Sequence, residues 1–147
     1  MKFLFSFLIS SLIGAGSPVW FTDFNKAKTE AVTENKYILV NFSGSDWCGP
    51  CIRLHKEIFE SEAFTNFAQN NLVLVNADFP RLKKNQLSKE QQKLNEALAD
   101  QYDPQGHFPY TVLIDAQGKV VKSWDGYPNE TPDKFLSDIN AVKGASR

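Results

Sequence analysis

A chain of 147 residues with 42% hydrophobic and 13% aromatic side chains can build one compact domain around a single core, and is too short for two comfortable ones. Its 16 Lys and Arg nearly balance 17 Asp and Glu. With no basic stripe, neither a nucleic-acid groove nor a site for a polyanionic substrate is expected, so proteins or small molecules are the partners to look for.

The amino terminus, MKFLFSFLISSLIGAGSPVW, gives one Lys, an apolar run from Phe3 to Ile13 and then small residues, the layout of a secretory signal peptide. Cleavage after Gly16 puts Gly14 and Gly16 at the two positions that require small side chains and leaves 17–147 as the mature domain. The run holds 11 residues, serines among them, whereas a bilayer span takes roughly 20 predominantly apolar ones. Export to the periplasm or beyond is therefore expected rather than an anchor. No Cys follows the run, which excludes a lipid-modified cysteine there.

DFNKAKTEAVTENK predicts a helix capped by Asp23, with Phe24, Ala27, Ala31 and Val32 as its apolar stripe. YILVNF, residues 37 to 42, is apolar through most of its length, as in a strand buried on both faces. It delivers the chain to SGSDWCGPC. From Gly49 the pattern turns helical, with Ile52, His55 and Phe59 on one face and Leu54 and Ile58 beside it, which puts Cys48 at the helix's amino-terminal end.

A second helical piece, SEAFTNFAQNN, leads into the strand LVLVNADF and then the polar loop RLKKNQ, which reads as solvated. SKEQQKLNEALADQY opens with a capping-box pattern, Ser88 three residues before Gln91, and carries Leu94, Ala97, Leu98 and Tyr102 at helical spacing. YTVLID and KVVKSW flank a Gly-containing turn as a β-hairpin, with Asp115 serving the turn. TPDKFLSDINAVK closes the chain as a helix with Thr131 as cap and Pro132 at its first position, and the tail AVKGASR is expected to fray. The alternation gives an α/β domain: parallel central strands joined by crossover helices, an antiparallel hairpin at the edge, helices on both faces.

Cys48 and Cys51 are the only cysteines. A disulfide closing so short a loop removes little entropy from the unfolded chain, so a purely structural staple explains them poorly. Zinc could formally draw on Cys48, Cys51, His55 and His107, but the histidines stand 52 residues apart and lack the short second pair of a finger. A c-type haem site needs His directly after Cys51, where Ile52 stands. His55, between Ile52 and Phe59, reads as a partly buried packing residue. No metal and no other cofactor is expected.

Thiol exchange fits better. A thiol at a helix's amino-terminal end faces unpaired backbone N–H groups and the positive end of the dipole, which favour thiolate. Lowering a cysteine pKa from about 8.5 to about 7 takes roughly 2 kcal/mol of preferential stabilisation. Cys48 is then the nucleophile, while Cys51, one turn further in and more buried, resolves the mixed disulfide. Gly49 lets the backbone turn tightly, Pro50 fits the first helical turn, and Trp47 walls the exposed sulfur.

WCGPC at a strand-to-helix junction resembles, letter for letter, the active-site motif of the thioredoxin family, and HFPYTVLID looks like the segment that bears that family's cis-proline. The resemblance runs from about Phe24 to Lys143. It implies the thioredoxin fold, with Pro109 cis and opposite Cys48, and with Phe108 offering its backbone to a substrate peptide as a short added strand would. The lead-in FSGSDWCGPC and the loop NADFPRLKKNQLS look most like exported bacterial members and the carboxy-terminal domain of transmembrane thiol-electron transporters. The family's loop after the last strand approaches the active site, here Trp124, Gly126 and Tyr127.

Two positions depart from the family pattern. Asn41 stands where typical members carry a buried Asp that helps deprotonate the second cysteine, and an amide cannot accept that proton. Phe108 is bulkier than the usual residue beside the cis-proline and should narrow substrate choice. The Gly-Pro dipeptide resembles that of reducing members, so the expected activity is reduction of disulfides in exported proteins. The partners implied are protein disulfides and a membrane thiol-electron donor, acting on a monomer. An oxidase or isomerase, or a redox-inactive binding or metal-binding module, is the alternative.

Overall fold

The computed structural model describes residues 16–145, so the apolar leader lies outside the described residues, apart from Gly16. In chain order the elements are β1 (Trp20–Phe21), α1 (Phe24–Glu34), β2 (Tyr37–Ser43), α2 (Gly49–Leu54), α3 (Glu62–Asn71), β3 (Leu72–Asp78), α4 (Lys89–Tyr102), β4 (Tyr110–Ile114), β5 (Val120–Asp125) and α5 (Pro132–Ala145). The five strands form one sheet in the order β1-β3-β2-β4-β5. β1 and β2 run parallel to β3, and β4 runs antiparallel to β2 and β5. The sheet is the expected mixed one, with β1 added: two residues carry no periodicity, and only their pairing with Leu74 and Val75 makes them a strand.

Successive strand residues face opposite sides, which divides β2 and β3 between two cores. Leu39 and Leu74 join Leu54, Ile58, Phe59, Phe64, Phe135 and Ile139 beneath α2, α3 and α5. Ile38, Val40, Phe42, Val73 and Val75 join Ala27, Ala31 and Leu98 beneath α1 and α4. Each fully buried Leu, Ile or Phe contributes about 1.5–3 kcal/mol relative to an exposed one.

Caps fall where the sequence put them. Asp23 accepts the Asn25 and Lys26 N–H groups, Ser88 the Gln91 N–H at 3.1 Å, and Thr131 the Lys134 N–H at 3.2 Å. Asp115 accepts from Gln117 and Lys119 in the hairpin turn.

The helical stripes are where expectation and structure part. Val32 is 63% exposed, because it lies about 140° around α1 from Ala27 while Ala31 returns to the same side. After α2 the chain makes a π-helical turn, His55–Phe59, closed by a 2.9 Å bond from the Glu60 N–H to the His55 carbonyl. That turn holds one residue more than an α-turn and rotates Phe59 inward beside Ile58. Ile52 and His55, which precede the extra residue, are exposed, and the buried seats are Cys51, Leu54, Ile58 and Phe59. In α4 the inward residue is Asn95 rather than Leu94, which is 43% exposed, or Ala97. The Asn95 amide donates to the Asp78 carbonyl at 2.9 Å and accepts from Gln91, so Gln91 reaches Asn95 and Thr22 instead of back to Ser88. The tail expected to fray is helical through Ala145.

Candidate active site

β2 ends at Ser43, and the next residue sets the geometry of everything that follows. Gly44 is buried, and a Cβ there would collide with the Trp47 indole. Its carbonyl accepts the Trp47 and Cys48 N–H groups at 3.2 and 2.9 Å, folding the chain back to start α2. Gly49 is exposed, without a positive φ, and a Cβ on it would meet nothing within 4 Å. The glycine that the turn requires is therefore Gly44, and neither crowding nor a positive φ requires one at Gly49. Pro50 occupies the first turn of α2, where its missing N–H leaves no bond unmade.

Cys48 is the N-cap of α2, and its sulfur accepts the Cys51 N–H at 3.3 Å. The two cysteines are joined as a disulfide with Cα atoms 5.2 Å apart. Their exposures are 5% and 3%, so the difference in burial expected between them is absent in the bonded state. What separates them is position: one caps the helix and the other sits a turn inside it.

Around Cys48 the rim is aromatic and cationic. The Trp47 Nε1–H donates to the Phe79 carbonyl at 2.8 Å. Phe108 stands edge-on to Trp47 and to Phe79, with ring centroids 5.5 and 5.4 Å apart. The Arg81 guanidinium lies 3.6 Å over the Trp47 ring, a cation–π contact. Asp46 fixes the loop that carries Arg81: its carboxylate accepts the Arg81 and Leu82 N–H groups and the Asn85 amide at 2.9, 3.0 and 3.0 Å. Those bonds, the Arg81 N–H foremost, hold its carboxyl below the usual carboxylate range. The loop after Pro80 is thus latched to the motif rather than merely solvated.

The Phe108–Pro109 peptide is cis, and the Pro109 carbonyl accepts the Gly126 N–H at 2.9 Å. Gly126 has φ 82°, a conformation that favours glycine, and it brings the loop after β5 to the proline. Trp124 is core, packed on Phe135 with centroids 4.6 Å apart. Tyr127 donates its hydroxyl to Glu57, and Arg53 lies over its ring. The histidines have separate partners: His55 Nε2 is 3.3 Å from a Glu60 oxygen, and His107 Nδ1 is 3.1 Å from Asp125. His55 is exposed, with the Trp20 and Phe59 rings each 6.4 Å from its own, centroid to centroid. Among the described residues no group of three His, Cys, Asp or Glu is arranged to hold a metal.

Beneath α2 the sheet turns polar. Asn41 and Thr111 are buried, and the Asn41 amide donates to the Thr111 hydroxyl at 3.0 Å. Ser45 donates its N–H and hydroxyl to Asp78 at 2.9 and 2.6 Å. A cavity of about 520 Å³ opens on Cys51, with Ser43, Asn76 and His55 among its walls. Of these features Asn41 and His55 drew notice in the sequence; the parts that Gly44, Asp46, Arg81 and Thr111 play depend on partners that local patterns do not reveal.

The model of the thioredoxin-like domain matches residues 24–143. The disulfide bond reductase DsbH of Chlamydia pneumoniae is 38% identical over 109 residues, covering 74% of this chain and 63% of that protein. The thioredoxin-related protein DsbJ of the same organism is 30% identical over 115 residues, covering 78% of this chain and 32% of DsbJ. The aligned stretch therefore spans less than two thirds of either relative. The solved structure of a DsbH oxidoreductase superposes with a TM-score of 0.78 at 31% identity, covering 93% of this chain and 92% of that one.

Proposed function

The chain belongs to the thioredoxin-like family, and from that premise we propose that it is a thiol–disulfide oxidoreductase that reduces disulfides in exported proteins. The observation that carries the reading is the Cys48–Cys51 disulfide at the start of α2, with the Cys48 sulfur already accepting a backbone N–H. In the reduced protein the same N–H stabilises a Cys48 thiolate. That thiolate attacks a substrate sulfur; Cys51 then displaces the substrate from Cys48, and the protein returns to the disulfide. WCGPC is the active-site motif in this reading, with Trp47, Gly49 and Pro50 framing the sulfurs. Phe108 and Pro109 present backbone to the substrate chain, and the Phe108 ring, wedged between Trp47 and Phe79, narrows what fits.

The name of the DsbH relative and the Gly-Pro dipeptide both support reduction over oxidation. Each turnover leaves the protein oxidised, so two electrons have to come from a dithiol donor, and a membrane thiol-electron carrier is the class that suits an oxidising compartment. Residues 1–16 are proposed as the signal peptide and 17–147 as the exported domain, working in the periplasm as a monomer, with no cofactor and no nucleic-acid partner.

The reduction potential of the Cys48–Cys51 couple, measured against glutathione or dithiothreitol, tests the direction. A value near −270 mV, as an order of magnitude for reducing members of this fold, is expected, whereas one near about −120 mV would make the protein an oxidase.

A further inference from the structure

Cys51 must lose a proton before it can resolve a mixed disulfide, yet only 3% of its surface meets solvent. The sheet face beneath it explains how. Counting in twos along each strand, the apolar residues Leu39, Leu74 and Leu113 share that face with Asn41 and Ser43, Asn76 and Asp78, and Thr111. Register places Asn41 beside both Asn76 and Thr111, so the polar residues form one patch across three strands. An apolar surface would pack there without polar groups to satisfy; a polar one demands hydrogen bonds or water.

The cavity of about 520 Å³ supplies room for water. Ser43, Ser45 and Asn76 line its sheet side, and Ile52, His55, Lys56 and Glu60 line its helical side around Cys51. Hydroxyls and amides relay hydrogen bonds but do not keep a proton, and a lysine ammonium only donates. Histidine is the side chain whose ordinary titration spans neutrality. His55 lies one turn beyond Cys51, reaches solvent with 57% of its side chain exposed, and has Nε2 3.3 Å from Glu60. The Glu60 carboxylate stands beside the ring as a counter-charge for the imidazolium that forms when His55 takes a proton.

We propose that this hydrated cavity is the proton outlet for Cys51, with His55 at its mouth as the acceptor and Glu60 as the residue that positions it. The proposal rests on the exchange reaction above. The Cys51 proton passes through cavity water to His55 and from there to solvent. The Cys51 thiolate attacks the Cys48 sulfur of the mixed disulfide, the Cys48–Cys51 bond forms, and the bond from Cys48 to the substrate sulfur breaks. The substrate sulfur leaves with the electron pair and is protonated by solvent; over the cycle the substrate disulfide gains the two electrons that the protein dithiol loses. The charged groups that line the cavity with His55 are its helical neighbours Lys56 and Glu60, while Asp78 on the sheet side is engaged by Ser45 and the Trp20 and Phe59 rings flank the imidazole.

Stopped-flow reaction of the reduced protein with an aromatic disulfide reagent that releases a coloured thiolate at each step tests this directly. The first release reports attack by Cys48, and the second reports resolution by Cys51. His55→Ala should slow the second release by on the order of tenfold to a hundredfold near pH 7, leave the first unchanged, and regain the rate on addition of free imidazole or at alkaline pH. Glu60→Gln should slow the second release by less and also spare the first. A second release at wild-type rate in His55→Ala, or a slowed one that imidazole does not restore, overturns the proposal. Wild-type protein that gives no second release would instead overturn the exchange reading itself.

Discussion

Cys48 and Cys51 are bonded to each other and almost equally buried, yet the molecule surrounds them with opposite materials. On the Cys48 side are rings and a cation: Trp47, Phe108 and Phe79 pack edge to face, and Arg81 covers the indole. Beneath Cys51 are amides, hydroxyls and a cavity of about 520 Å³. An apolar rim suits a surface that docks another chain and excludes solvent from an attacking sulfur, whereas a polar floor suits a sulfur that must give up a proton. Environment, rather than exposure, separates the two proposed roles.

The largest expected effect comes from removing the rim's sulfur. Cys48→Ser should abolish turnover of a protein disulfide in a dithiol-coupled reduction assay, with a melting temperature that stays within a few degrees of wild type reduced protein; retained turnover would move the nucleophile elsewhere. The floor is next. Thr111→Val strands the buried Asn41 amide and should cost about 1–3 kcal/mol in urea unfolding, whereas adding Asn41→Leu, which leaves neither partner, should recover most of that loss. A double variant as unstable as the single one would show that the pair is not the unit of stability.

Gly44→Ala probes the rim's geometry. The added methyl displaces Trp47 and should cost about 1–3 kcal/mol as an overpacked site, while Gly49→Ala, in open space, should be close to neutral. Equal effects at the two glycines would contradict the assignment.

The smallest effect is the pH response of the Asp46 latch. Its carboxyl titrates lower in the folded protein than in the unfolded chain, so the folded state binds fewer protons between the two values. The latch is therefore fully present above the ordinary carboxylate range and lost as pH falls through the lowered folded value. Amide exchange at Arg81 and Leu82, corrected for its intrinsic pH dependence, should quicken on acidification and be pH-independent in Asp46→Asn.

Much of this was legible locally. Asp23, Ser88 and Thr131 announced their helices because a cap needs only a partner two or three residues on, and the strands announced themselves as apolar runs. WCGPC marked the candidate site because its residues are contiguous. What stayed hidden depends on distance or phase. The π-turn at His55–Phe59 shifts the helical register by one residue, which no 3.6-residue stripe anticipates, and Phe59 falls inside beside Ile58 while Ile52 and His55, expected on its face, stay exposed. β1 exists only because β3 pairs with it. Asn41 stood out in the sequence, but its partner Thr111 lies 70 residues away, and the floor appears only when three strands meet. The Arg81–Trp47 contact likewise joins a loop to a motif through Asp46, across a span that composition cannot bridge.

The central claim is that Cys48 captures substrate sulfurs and Cys51 releases them. Expressing Cys51→Ala, alkylating free thiols and sequencing the disulfide-linked peptides by mass spectrometry tests it most directly. Stalled mixed disulfides linking Cys48 to cysteines of other exported proteins are the result predicted; a Cys51→Ala protein that accumulates none, while wild type still turns over protein disulfides, would contradict it.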